Sequence, residues 1–128
     1  MDKKSVKLIR IQRQNQEEEK EVIPMEAYSI SENEVLYEYL QEGKRTSIRI
    51  LSLESELMIR VFNDEYHAQI PLRLHQTTQG NYYFGNQTLT FDFILRKIEC
   101  KGVAISFEYD IVSKESVIFN NTWRIEVI

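Results

Sequence analysis

Cysteine and histidine are scarce in this chain of 128 residues, and the scarcity excludes whole classes of chemistry. Cys100 is the sole cysteine, so no internal disulfide can form. His67 and His75 are the only histidines. If both lie on one straight strand, a spacing of about 3.3 Å per residue holds them roughly 26 Å apart, too far to share a metal ion. A zinc site needs about three or four convergent ligands, so no metal site is expected. A Cys-His nucleophile pair would need the fold to bring distant residues together. The signatures of phosphate-binding loops, helical zinc sites and nucleophile elbows, G-x-x-x-x-G-K-[ST], H-E-x-x-H and G-x-S-x-G, do not occur. Gly80 and Gly85 flank Asn81-Tyr82-Tyr83-Phe84, which reads as a hairpin corner and not as a nucleotide loop. No catalytic residue, no cofactor and no enzymatic activity are expected.

Long apolar runs are also missing. No stretch approaches the roughly 18 apolar residues that cross a bilayer as a helix. The opening MDKKSVKLIRIQRQ lacks the apolar core of a secretion signal, so a cytoplasmic location is the expectation. Nor is there an excess of positive charge. The net charge is −4, whereas nucleic-acid binders carry a basic face, so nucleic acid is not an expected partner. The one basic stretch, Lys3, Lys4, Lys7, Arg10 and Arg13, runs straight into Glu17, Glu18 and Glu19. It reads either as an anion-binding arm or as an edge strand blunted by charge.

What remains is the composition of a folded domain: 42% hydrophobic and 28% charged residues, with seven tyrosines among the aromatics. That is too apolar for a disordered chain. With no linker and no internal repeat, one domain is expected over residues 1–128. The dominant period is two. Leu89, Phe91, Phe93 and Leu95 alternate with Thr88, Thr90 and Asp92. Val103, Ile105, Phe107, Tyr109 and Ile111 alternate with Ser106, Glu108 and Asp110, and Tyr66, Ala68, Ile70, Leu72 and Leu74 with His67, Gln69 and Arg73. Such alternation puts the bulky groups on one face of a strand. Shorter runs share the pattern at Val35–Tyr39, Ile48–Ile50, Leu57–Val61 and Trp123–Val127. Strands are also expected near 5–14 and 21–30, the second at an edge or carrying a bulge because Pro24 donates no ladder hydrogen bond.

Turn residues separate these runs at Gln14–Glu19, Ser31–Asn33, Glu42–Lys44, Glu54–Ser55, Asn63–Asp64, Gly80–Asn81, Gly85–Asn86, Lys101–Gly102 and Ser113–Glu115. Many short strands at such spacing predict an all-β fold, a single antiparallel up-and-down β-barrel of about eight to ten strands. Residues 4–13 and 50–62 also carry spacings that suit a helix, and period alone does not decide between the two. The carboxylates Glu38, Glu42, Asp92, Glu108 and Asp110 fall on polar parity or in turns, where solvation is expected. Arg60 lies between Ile59 and Val61 with Met58 and Phe62 on its own face. Either that face is solvated, or Arg60 is buried and anchors a carboxylate or phosphate.

The order of these features, from about residue 20 onward, resembles the YwiB-like family of bacterial proteins. The resemblance rests on Val35-Leu36-Tyr37-Glu38-Tyr39, on Lys44 to Ile50, on Leu57 to Arg60, on Phe84-Gly85, and on Ile105-Ser106-Phe107-Glu108-Tyr109-Asp110. Val61-Phe62-Asn63 stands where the family pattern implies a glycine turn, and the Gly-x-Trp of true lipocalins is missing. The resemblance implies a calycin-like, lipocalin-type barrel and no particular activity.

Two uses of such a barrel follow. A barrel of about eight strands either fills its interior with side chains or holds one small ligand. In the first use, the expected interior site for a small apolar or amphipathic ligand comprises Tyr37, Tyr39, Arg60, Phe91, Phe93, Phe107, Tyr109 and Trp123. The same rings would equally serve as plain core. In the second use, a filled barrel is an interaction module, a homodimer or the acceptor of a partner's strand, with Leu36, Leu40, Met58, Phe62 and Ile94 outward.

Overall fold

The computed structural model describes residues 2–114 and 116–128. Ten strands follow one another: β1 (Lys3–Gln14), β2 (Glu17–Ser31), β3 (Glu34–Gln41), β4 (Lys44–Leu53), β5 (Glu56–Phe62), β6 (His67–Arg73), β7 (Thr77–Phe84), β8 (Gln87–Lys101), β9 (Ala104–Ser113) and β10 (Ser116–Val127). Each pairs antiparallel with its neighbours in sequence, and β1 pairs with β10 to close the ring. The up-and-down barrel is the fold that the alternation predicts. Residues 4–13 and 50–62 are strands and turn, with no helix in either, because their apolar residues at alternate positions find a pleated neighbour on each side.

The connections obey turn chemistry. Glu42 and Gly43 both take positive φ, 53° and 76°, as a two-residue hairpin that matches strand twist requires. Glu115, in the predicted break at Ser113–Glu115, lies outside the described residues. One predicted break is corrected. Gly80 and Asn81 sit inside β7, not at a turn. A Cβ at Gly80 would stand 2.8 Å from Phe93 Cε2 and 2.9 Å from the Gln69 carbonyl oxygen, so the glycine serves a close approach of ring to backbone.

The two prolines interrupt pairing where the sequence leads one to look. β2 pairs with β1 from Glu17↔Gln14 to Tyr28↔Lys3, but with β3 only from Glu26↔Glu38 to Ser31↔Glu34. Pro24 lies just outside that register, so β2 from Glu17 to Met25 is held on one side by β1. Pro71 lies beyond the short β6–β7 register, and the Thr78 hydroxyl donates to its carbonyl. By contrast β1, which carries the basic stretch, is no edge strand. It is paired on both sides, and its cations meet carboxylates: Lys3 with Glu26, Lys7 with Glu126, and Arg13 with Glu18.

The inward parity forms one core running the length of the barrel. A bulge between Leu95 and Lys97 shifts the parity of β8, so Phe93 and Leu95 point inward before it, and Ile98 pairs with inward Phe107 after it. One carboxylate departs from the expected solvation. Asp110 faces outward yet is buried, because Arg96 Nε donates to it at 2.7 Å and Asn120 Nδ2 at 2.9 Å. A buried carboxylate persists only when paired and hydrogen-bonded, and these two donors meet that condition.

Candidate functional site

The barrel has two unlike ends. At the end that holds the β2–β3, β4–β5, β6–β7 and β8–β9 connections, Val6, Leu8, Val35, Ile50, Leu57, Leu72, Leu95 and Ile105 close the interior. Tyr37 belongs here, its hydroxyl donating to the Val103 carbonyl at 2.7 Å. Where β7 has not yet begun, the chain after β6 takes its place: His75 N donates to Leu95 O at 2.8 Å. This end is filled.

At the opposite end rings and polar groups join the aliphatics at the inward positions. A cavity of about 160 Å³ lies there, lined by Arg10, Gln12, Tyr39, Ile48, Val61, Tyr66, Ile70, Tyr82, Tyr109, Ile111, Asn121 and Trp123. Tyr66 reaches it from the β5–β6 connection, where Asn63 Oδ1 accepts from the backbone N–H groups of Glu65 and Tyr66, each at 2.9 Å. Rings then run in contact from rim to depth. Tyr66 stacks on Phe84 with centroids 5.3 Å apart and tilts toward Tyr82 at 6.1 Å. Tyr82 meets Phe91 edge-on at 5.6 Å. Below them Phe93 packs against Tyr109 at 5.8 Å, and Phe107 against Trp123 at 5.3 Å.

One cation stands at this mouth. Arg10 follows Val6 and Leu8 on the inward parity, and its Cζ lies 5.9 Å from the Trp123 ring centroid. Its guanidinium donates to the Glu21 carboxylate, from the cross-strand neighbour on β2. The pair is partly open to solvent, with 36% of the Arg10 side chain exposed.

The polar groups deeper down show what the cavity offers. Burial holds the Tyr66, Tyr82 and Tyr109 phenols above their ordinary pKa, Tyr82 pushed up to about 12, while the Arg10 charge opposes the shift in each. They are therefore protonated, and able to donate, across the physiological range. The Trp123 indole N–H is near enough to Tyr109 to favour its ionised form slightly, yet among the described residues no atom stands in hydrogen-bonding geometry to accept from it, although Trp123 is only 5% exposed. An indole N–H can only donate, so an acceptor on a ligand in the cavity would suit it.

The sequence-predicted site residues divide four ways. Tyr39, Tyr109 and Trp123 line the cavity. Phe91 packs at its edge through Tyr82. Phe93, Phe107 and Tyr37 are fully interior, the first two beneath the cavity and Tyr37 at the filled end. Arg60 is not in the interior. Its neighbours Ile59 and Val61 are buried, so the pleat turns Arg60 out into solvent, opposite Arg49 and Gln69. The cation of the interior is Arg10, which sequence reasoning grouped with a basic stretch at a spacing of three. The signal was present in the period of two: Val6, Leu8, Arg10 and Gln12 share a parity, as do Glu21, Ile23, Met25 and Ala27.

Among the described residues, no three His, Cys, Asp or Glu side chains gather as metal ligands. The chain matches no protein-family model and no curated protein sequence. Its structure is similar to the crystal structure of the ywiB protein from Bacillus subtilis, with a TM-score of 0.71 and 15% sequence identity, over 98% of this chain and 93% of that one. The chain has the YwiB fold. The likeness extends over nearly the whole of both chains, so the resemblance read from the sequence holds at the level of architecture.

Proposed function

We propose that this chain is a non-catalytic, cytoplasmic binding protein, calycin-like in use, that takes a small amphipathic ligand at the open, aromatic end of the barrel. The observation that carries the reading is a cavity of about 160 Å³ whose wall contains a buried indole N–H with no acceptor among the described residues. Aromatic walls with a few convergent polar groups are the usual make-up of a ligand site. The volume limits the ligand. Sites for drug-sized molecules run to roughly 300–1,000 Å³, so this end accepts one ring or a short branched chain and not a whole haem or fatty acid. Binding fits the chemistry better than catalysis, since phenols held protonated by burial are poor bases near neutral pH.

Trp123 is the only tryptophan and stands in the cavity wall, so its emission reports on occupancy directly. A set of one-ring compounds, charged and neutral, should include members that shift this emission and move the methyl resonances of Ile48, Val61 and Ile70. A set that leaves both signals unchanged up to millimolar concentration rules out the ligand site.

A second reading has its own observation. The one-sided stretch of β2, Glu17 to Met25, offers an unpaired strand edge to a second copy of the chain. Pro24 and the flanking charges oppose such pairing. The outward apolar residues do not favour a dimer face either, because Arg60 separates Met58 from Phe62, and Arg49 lies beside Leu36. Light scattering on the eluting protein distinguishes a dimer from a monomer.

A further inference from the structure

We infer that the ligand of the open end is a small monocyclic acid, and that the Glu21 carboxylate occupies the place of the ligand's carboxylate in the free protein. The inference rests on the proposed ligand site and names its chemistry.

Hydrogen-bond donors crowd this end of the barrel. Arg10 offers a planar fork of N–H groups, Trp123 can only donate, and the Tyr66, Tyr82 and Tyr109 hydroxyls are held in their donating form. Gln12 and Asn121 add amide N–H₂ groups. The hydroxyls and amides can also accept, but Arg10 and Trp123 can only donate, so together these two select an acceptor, and a guanidinium fork selects a carboxylate above other acceptors. The free protein already contains one, since Glu21 accepts from Arg10 at the cavity mouth.

The two partners of this pair are held with different firmness. Arg10 lies in β1, which is paired with β2 on one side and with β10 from Val6↔Val127 to Arg13↔Asn120 on the other. Glu21 lies in the stretch of β2 that is paired with β1 alone. A side chain on a strand bonded along one edge gives way more readily than one bonded along both. An incoming carboxylate therefore displaces Glu21 toward solvent and leaves Arg10 where it is, stacked on Trp123.

The remainder of the ligand is set by the walls. A cavity of roughly 150 Å³ with apolar walls accommodates benzene, and this one is of similar size. Tyr66, Tyr82 and Trp123 would meet a ring face-on or edge-on, the arrangements that aromatic pairs prefer. Benzoate, with its ring inside and its carboxylate at Arg10 and the Trp123 N–H, meets both requirements, whereas benzamide keeps the shape and loses the charge.

The test titrates wild type, Glu21→Gln and Arg10→Gln with benzoate and with benzamide at neutral pH, following Trp123 emission and the Trp123 indole N–H resonance. Both substituted side chains are partly solvent-exposed, and thermal melts confirm that each variant folds. In wild type, benzoate should bind at least about tenfold more tightly than benzamide and carry the indole proton downfield. Glu21→Gln should tighten benzoate by about tenfold and leave benzamide unchanged, since only the charged competitor has been removed. Arg10→Gln should abolish the preference for the acid. Equal affinity of wild type for the two compounds, or no gain in Glu21→Gln, overturns the carboxylate class and leaves a neutral-ligand site standing. If neither compound moves Trp123 or the cavity methyls in wild type or Glu21→Gln, the acid inference fails, and a null result across the wider one-ring set removes the ligand site with it.

Discussion

The filled end and the open end of this barrel are made by the same strands with the same alternation, yet one is a plug and the other a cup. At the filled end, inward positions carry branched aliphatics that interdigitate, and the one phenol, Tyr37, bonds to a backbone carbonyl. At the open end, Ile48, Val61, Ile70 and Ile111 share the wall with tyrosines, an indole, two amides and an arginine around a void. Aliphatic chains fill a ring of strands because they pack to the density of a crystal with nothing left to satisfy. Flat rings with polar tips leave gaps and unmet donors. The lesson is that inward parity says only where a side chain points, while its shape and polarity decide whether the space is closed.

Substitutions that treat the two ends alike test this contrast. Leu72→Ala at the filled end should cost about 2–5 kcal/mol in denaturant unfolding, because the lost contacts leave a cavity that the surrounding strands cannot collapse. Ile111→Ala beside the existing void should cost less, below about 2 kcal/mol, since the side chain is already packed on one side only. Equal costs would mean that the void is not a property of the folded protein in solution.

The phenols give a finer comparison. Tyr37→Phe strands the Val103 carbonyl without its donor and should cost about 1–2 kcal/mol. Tyr82→Phe, which removes a hydroxyl at the cavity, should change unfolding free energy by less than about 0.5 kcal/mol and be read instead in ligand affinity. A reversal of that order would place the well-bonded phenol at the wrong end.

The smallest effect is one of pH. Burial raises the Tyr82 phenol from its ordinary value near 10 to about 12 in the folded protein. Below pH 10 both folded and unfolded chains keep the proton, and its contribution to stability is complete. Between pH 10 and about 12 the unfolded chain loses it first, so stability falls as pH rises through that window. Tyrosinate absorbance should therefore show a late-titrating class in the folded protein, and Tyr82→Phe should flatten part of the alkaline loss in Tm. A single class titrating near 10 would show that water reaches these hydroxyls freely.

Much of this was legible beforehand. Strict alternation at Leu89–Leu95 and Val103–Ile111 placed Phe93, Phe107 and Tyr109 inside, and Pro24 marked where pairing to β3 would lapse. The failures share a cause. Arg60 was singled out because apolar residues surround it in sequence, although the parity of Ile59 and Val61 turns it outward. Glycine beside asparagine suggests a turn at Gly80, whereas its role is to let Phe93 reach the backbone of a neighbouring strand. Asp110 sat on polar parity and was expected in water, but Arg96 and Asn120 cover it from the flanking strands. In each case the deciding neighbour lies on another strand.

By itself, then, the sequence determined that the chain is mainly β, with residues 4–13 and 50–62 left open between strand and helix, and which side chains of the regularly alternating runs face inward. These follow from the pleat, which turns successive residues to opposite faces using nothing beyond the strand's own backbone. Only the tertiary structure decided that Arg10, Tyr82, Tyr109 and Trp123 stand around one void, with Glu21 held against Arg10. Height in a barrel is set by the stagger between adjacent strands, accumulated pair by pair around the ring, and each pairing depends on two segments at once.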